Sequence, residues 1–261
     1  MYARVAFLAL CGLFACARPA PSAPSPVADP IAAPMAASAW PASSVPGVVG
    51  WLGLRAGGAE EPYWTGITGT SALVVLEGEW AGVPAGAPVR MVTRAGVAPV
   101  RFVGVQRGRF GCDGGTELTV AAFDGVPSDD LAWVLPAEGP VATALPVTVA
   151  DTEAERVWTV GGERLGVTRT GTYTARVWAG DKRIVLRTID LREGLMAGAE
   201  LQPVDVRSDH FVPQVVAGWE VQGRVVLAAT WGSFEGVHFS VFTLGATPEE
   251  HEVGYLYACA F

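Results

Sequence analysis

Lysine is nearly absent from this chain: Lys182 is the only one, and arginine supplies the rest of a Lys-plus-Arg total of 18. Acidic residues outnumber them at 26, giving a formal net charge of −8, and charged residues make up only 17%. A chain of that sign lacks the basic stripe that neutralising phosphates requires, which excludes nucleic acid as a partner and makes anionic lipid surfaces poor ones. Histidine occurs three times, at His210, His238 and His251, and cysteine four times. No G-x-S-x-G, H-E-x-x-H or C-x-x-C motif is present, and "HEVGY" at 251–255 stops short of a zincin helix. "GCDGGT" at 111–116 lacks the strand, lysine and helix of a phosphate-binding loop and reads as a tight turn. No catalytic residue and no cofactor are assigned on this basis, and the chain reads as a non-enzyme. Beyond the N-terminus no apolar run reaches the ~18 residues that would suggest a membrane-crossing helix. Helical periodicity is also nearly missing after residue 47.

What is present is apolar, turn-rich sequence: 50% hydrophobic residues, 32 glycines and 19 prolines in 261 residues. That content sustains a sizeable core and many short elements. Residues 1–15, "MYARVAFLALCGLFA", place Arg4 ahead of an apolar run too short to span a bilayer, the layout of a secretory signal. Ala17 to Gly47 is dominated by Pro, Ala and Ser, with prolines at 19, 21, 24, 26, 30, 34, 41 and 46. Such a stretch cannot bury enough surface to fold and favours extended polyproline II. At about 3.1 Å per residue it reaches at most on the order of 95 Å.

Leu13-Phe14-Ala15-Cys16 resembles the bacterial lipobox, with an aliphatic residue three places before a cysteine and a small residue one place before it. Phe14 stands where that motif usually carries a small residue. The resemblance implies a lipoprotein precursor in which the Cys16 thiol carries diacylglycerol and becomes the first mature residue. Ala17 after it implies sorting to the outer membrane. Ala15-Cys16-Ala17 also fits an ordinary A-x-A cleavage site, which would release a chain beginning at Arg18. Either way the protein leaves the cytoplasm. Its partners are then the membrane, reached through the anchor, and an envelope protein or a glycan.

The exported region reads as all-β, antiparallel and sandwich- or barrel-like, in two packed β-rich halves over 48–150 and 151–261. The division falls in the proline- and alanine-rich stretch 136–155. Period-2 runs predict strands at 71–80, 88–94, 98–106, 116–123, 130–135, 155–160, 237–244 and 253–260. "TYTARVWAGDKRIVLRTI" predicts a hairpin turning at Gly180-Asp181, with Val177 opposite Ile184, Ala175 opposite Leu186, and Trp178 under Arg183. A second hairpin turns at Gln222-Gly223, and "RVVLAATW" is apolar enough on both faces to lie inside the architecture. In an oxidising compartment Cys112 and Cys259 form the natural disulfide pair once Cys11 and Cys16 are accounted for.

Two constellations carry candidate chemistry. Asp209, His210, Glu235 and His238 could ligate a divalent metal for hydrolysis if their loops converge, with Asp205 nearby; a solvent-facing histidine on a strand explains His238 equally well. Tyr63 and Trp64, in the loop "GAEEPYWTG", could stack on a sugar ring or anchor a protein. Beyond residue 47 the tryptophans that sit in strands belong to the core. "VDVRSDHFVPQVVAGW" at 204–219 is similar, over fewer than twenty residues, to the calcium-binding segments of FG-GAP-like surface repeats. Asp205, Asp209, Pro213, Val215 and Val216 match, while Arg207 and Ser208 replace an acid and a glycine. That resemblance implies a β-hairpin context.

Overall fold

A computed structural model describes residues 40–43, 45–56, 64–65, 72–75, 78–110, 116–124, 131–193, 201–233 and 236–257. Residues Pro34–Phe261 form one compact unit. Every regular element among the described residues is a β-strand, and all strand pairings are antiparallel, as the alternation in the sequence requires.

The first seven strands are β1 (Trp51–Ala56), β2 (Trp64–Thr65), β3 (Ala72–Val75), β4 (Pro88–Thr93), β5 (Gly96–Phe110), β6 (Thr116–Asp124) and β7 (Leu131–Pro136). They make one sheet in the order β2-β5-β4-β7-β1-β3-β6, and a further β5–β6 pairing brings six of them into a closed ring. The long strand β5 permits closure. Its first part pairs with β4, its second with β6, and Arg101 is opposite a residue of each. A bulge between Phe102 and Gly104 turns the strand at the handover. The interior is filled from every strand of the ring: Trp51, Val75, Val89, Met91, Val100, Phe102, Ala121, Phe123, Ala132 and Val134.

Part of the segment expected to be solvated spacer belongs to this fold. The Trp40 ring lies 6.2 Å from both Trp51 and Trp80, and Val45 is fully buried. The folded body therefore begins by Trp40, ahead of the boundary that composition put at Gly47. Proline content argued for a spacer but could not show that an apolar side chain docks onto the folded body at its end.

After β7 the chain supplies β8 (Ala142–Ala144) and β9 (Val147–Asp151), one to each of two further sheets. β10 (Glu155–Val160), β11 (Glu163–Arg169), β12 (Thr174–Ala179) and β13 (Ile184–Asp190) join β9 as an outer sheet in the order β13-β12-β11-β10-β9. β14 (Gln214–Val221), β15 (Arg224–Gly232), β16 (Gly236–Leu244) and β17 (Glu249–Tyr257) join β8 as a middle sheet in the order β17-β16-β15-β14-β8.

The middle sheet is buried on both faces, which explains why "RVVLAATW" is apolar throughout. Along β15, Leu227 and Ala229 pack with Trp158, Leu165, Val167 and Val177 of the outer sheet. The alternate residues Val226 and Ala228 pack with Trp219 and with Leu52, Val92, Trp133 and Leu135 of the barrel wall. Trp219 ties the two bodies together. It is buried, its Nε1–H donates to the Val92 carbonyl at 2.9 Å, and its ring lies 5.7 Å from Trp133. The Arg94 guanidinium adds a hydrogen bond to the Val216 carbonyl.

The hairpin at Gln222-Gly223 forms as expected, with φ of 52° and 73° and Val221 opposite Arg224. The other hairpin differs from its expected register. Its turn is Gly180–Arg183, with Gly180 and Arg183 at positive φ, and Ala179 is opposite Ile184. A bulge then places Val177 opposite Arg187 and Ala175 opposite Ile189. The expected Val177–Ile184 and Ala175–Leu186 pairs are absent because two extra residues enter the turn and one enters the strand. Arg183 nevertheless lies 4.4 Å over the Trp178 ring, reached from the left-handed end of the turn.

Candidate functional site

One bulged residue decides what faces the open side of the sandwich. Because Leu186 is the extra residue of β13, Arg187 shares the inward face with Val177 instead of pointing to solvent. Its guanidinium lies 4.5 Å over the Trp231 ring of the middle sheet, and its Nε stands 3.2 Å from Glu250 Oε2 on β17. Trp231 follows Leu227 and Ala229 on the same face, so the arginine reaches across from one sheet to the other. Beyond it the rings form a cross-strand ladder. His238 stacks on Trp231 at 3.7 Å and 2° and lies 4.5 Å from Tyr255, while its Nδ1 contacts Glu252 Oε1 at 2.9 Å. His238 is thus not the solvent-facing strand histidine of the simpler sequence reading. It is the middle rung of a ladder, with 18% of its side chain exposed.

Between the edges of β13 and β17 lies an open cleft of about 570 Å³. Ile184, Val185 and Leu186 form one lip, Pro248 to Glu252 the other, with Arg187, Trp231 and Ser240 between them. Glu250 is 14% exposed, and burial pushes its carboxyl above the ordinary range even though the Arg187 charge and a hydrogen bond with Ser240 pull the other way. Glu249 and Glu252 are about half exposed. Nε and Nη2 of Arg187 and Nε2 of His251 are buried without a hydrogen-bond acceptor, although Arg187 Nε and His251 Nε2 each face a glutamate at ion-pair range.

A second pocket, of about 490 Å³, lies over the loop before β14 and is lined by Leu191, by residues 201–205 and by residues 208–212, with Asp205, Asp209 and His210 among them. Its polar groups mainly hold the loop. Asp205 Oδ1 accepts from Arg207 N–H at 2.9 Å, Ser208 Oγ from His210 N–H at 3.0 Å, and Gln214 Nε2 donates to the Ser208 carbonyl at 2.7 Å. His210 forms a parallel bridge with Gly232, whose N–H donates to the Asp209 carbonyl at 2.6 Å. Among the described residues no group of three or more His, Cys, Asp and Glu side chains is placed to hold a metal ion. Asp209 and His210 lie in this loop, His238 lies in the ladder, and Glu235 lies outside the described residues. Cys16, Cys112, Cys259 and Tyr63 also lie outside them, and Trp64 is described only as backbone paired with Phe110.

A third cluster faces solvent on the outer sheet. Trp178 is buried there because Gly166 leaves room for the indole, Arg183 covers it, and Thr168 Oγ1 accepts from its Nε1 at 2.9 Å. Thr168 in turn donates to Glu155 at 2.6 Å, and Arg183 grips both carboxylate oxygens at 2.6 and 3.1 Å. Burial works to raise the Glu155 pKa, but the bonds from Thr168 and Arg183 and the charges of Arg183 and Arg164 outweigh it, and the net shift is downward. A carboxylate lowered on folding contributes stability above its unfolded pKa and loses it as pH falls through the folded value. Glu155→Gln therefore lowers the melting temperature at pH 7, by an amount equivalent to about 1 kcal/mol or less because Arg183 is half exposed. The gap from wild type closes as pH falls through the lowered folded-state value; a gap independent of pH would show that charge is not its source.

No protein-family model, no curated protein and no solved structure matches this chain. Function has to be argued from its own residues.

Sequence reasoning singled out none of the cleft residues as functional, and only His238, in the ring ladder beside the cleft, drew attention as a candidate metal ligand. Arg187, Trp231 and Glu250 were passed over because strict alternation from Ala175–Leu186 puts Arg187 on the solvent face. The available signal was an arginine in the otherwise aliphatic "IVLRTI". A charge inside such a run marks either an outward position or an inward one with a partner, and only the bulge decides which.

Proposed function

We propose that this chain is an exported, lipid-anchored envelope protein whose β-body acts as a non-catalytic binding module. The observation that carries the reading is the N-terminal order of features: an apolar run ending in Leu13-Phe14-Ala15-Cys16, a proline-rich spacer, and a body whose packing begins by Trp40. A spacer of this composition suits a tether, since it gives reach without offering a surface to fold. Outer-membrane placement follows from Ala17, and an oxidising destination pairs Cys112 with Cys259. The binding role draws on the cleft between β13 and β17, where Arg187 lies over Trp231 and faces Glu250.

Expression in a Gram-negative host with radiolabelled palmitate tests the anchor. Wild type takes up label and accumulates as an unprocessed precursor in globomycin, whereas Cys16→Ser takes up none. Unlabelled, normally processed wild-type protein would overturn it. The same preparation, unfolded without reductant, shows no reaction of Cys112 or Cys259 with a thiol reagent until reductant is added.

A further inference from the structure

We infer that Arg187 is a pH-sensitive clamp between the outer and middle sheets, released on mild acidification with His238 as the sensing group. The inference concerns the β-body alone and stands whether or not Cys16 carries a lipid.

The clamp has two grips, both on the face of the middle sheet that meets the outer sheet. Arg187 reaches from β13 over the Trp231 ring at 4.5 Å and stands 3.2 Å from Glu250 Oε2. Its Nε and Nη2 are buried without a hydrogen-bond acceptor, so charge and ring contact hold it rather than directed bonds. Unpaired donors regain hydration when such a group moves into water, which leaves the clamp dependent on both grips. β13 ends the outer sheet and β17 ends the middle one, so among the described residues no further strand secures this side.

Each grip weakens as pH falls. Histidine is the side chain whose ordinary charge change lies between pH 5 and 8. His238 stacks on the same indole at 3.7 Å and 2°, so its protonation brings a second cation onto the ring that Arg187 covers. Two cations sharing one indole repel each other at short range. His238 Nδ1 stands 2.9 Å from Glu252 Oε1. A carboxylate only accepts, so Nδ1 carries the hydrogen of the neutral ring and Nε2 takes the added proton. Glu252 is 55% exposed, and water screens the compensation it offers, whereas the Arg187 side chain is mostly buried. At the other grip, burial holds the Glu250 carboxyl above its ordinary range against the pull of Arg187 and Ser240. Acidification therefore neutralises it earlier than an exposed glutamate, and the guanidinium loses its counter-charge.

The other titratable groups nearby are few. Tyr255, 4.5 Å from His238, closes the far side of the ladder. From Val225 to Gly232 and from Gly236 to Leu244 the middle sheet carries no ionisable residue besides His238. His251 pairs with Glu249 at 3.5 Å on the opposite face of β17. Its cross-strand neighbour Val241 packs in the core shared with the barrel wall, whereas Phe242, opposite Glu250, packs toward the outer sheet. Release of Arg187 frees the β13 edge from β17 and widens the cleft between them.

Hydrogen exchange of the full chain at about pH 8 and about pH 5, corrected for the intrinsic chemical rate, reads the clamp. Amides of β13 and β17 lose protection about ten-fold or more at the lower pH, while those of β10 and β11 keep theirs. His238→Phe keeps a ring in the ladder with no charge to gain, and it cuts the change to about two-fold or less. His251→Phe leaves the change intact. Arg187→Met exchanges fast along β13 at both pH values; should it not fold, wild type and His238→Phe decide alone. Equal protection at both pH values in wild type, a loss spread evenly over all three sheets, or a full response in His238→Phe would each overturn the clamp.

Discussion

Trp219→Ala is expected to cost about 3–5 kcal/mol, the range for truncating a buried tryptophan. Trp219 is 1% exposed, and it sits where the middle sheet meets the barrel wall. Removing it opens a cavity against Trp133 and leaves the Val92 carbonyl without its donor. Trp219→Phe separates the two effects. It retains much of the ring volume and loses the hydrogen bond, so it costs less, on the order of 1–3 kcal/mol for the unsatisfied carbonyl. Urea denaturation followed by far-UV circular dichroism and by tryptophan fluorescence reads both. If barrel and sandwich depend on this contact to unfold together, the two probes coincide in wild type and separate in Trp219→Ala. A cost near zero for the alanine variant would show that the shared core carries little of the stability.

The second large effect concerns a residue with no side chain. Gly50 precedes β1 with φ of +119°, a conformation that L residues rarely adopt. A Cβ there would stand 2.8 Å from the Val134 carbonyl oxygen and closer still to Nε1 of Trp133. That nitrogen is held in place, because its N–H donates to the Val49 carbonyl at 3.1 Å, and Trp133 is fully buried. Neither backbone nor indole can give way cheaply. Gly50→Ala therefore adds overpacking of about 1–3 kcal/mol to backbone strain of about 1–2 kcal/mol. For a chain of this size the melting temperature falls on the order of 10 °C. Gly180→Ala is the control: its φ is +70° but a Cβ there meets nothing within 4 Å, so only backbone strain remains. Equal losses in the two variants would remove the steric part of the argument.

These two sites mark how far the sequence could be read. Alternation of apolar residues located β4, β6, β7, β10 and β16 to within a residue or two, because a strand buried on one face must repeat every second position. The Gln222-Gly223 turn was equally legible, since a two-residue hairpin demands residues that tolerate positive φ. Short strands without a clear period, β2 and β8, were not. β9 and β11 went unassigned too, lying where polar and apolar residues mix.

The candidate site was less legible for a specific reason. Periodicity assigns a side chain to a face only while the register holds. At β13 a single extra residue exchanges the faces, turning Arg187 inward onto Trp231 and Glu250. Asp209, His210 and His238 drew attention as residue types that bind metals, but hydrogen bonds within a loop account for the first two positions and ring stacking for the third.

By itself the sequence determined the class of architecture, the Gln222-Gly223 turn, the acidity and the features that argue for export and attachment. These are local properties: composition, spacing and the conformational reach of single residues. The tertiary structure alone decided that six strands close into a barrel, that the middle sheet is buried twice, and that Arg187, Trp231, Glu250 and Glu252 share one cleft. Those depend on pairings between residues far apart in the chain, such as Trp219 with Val92 and Arg187 with Glu250, which no local pattern encodes.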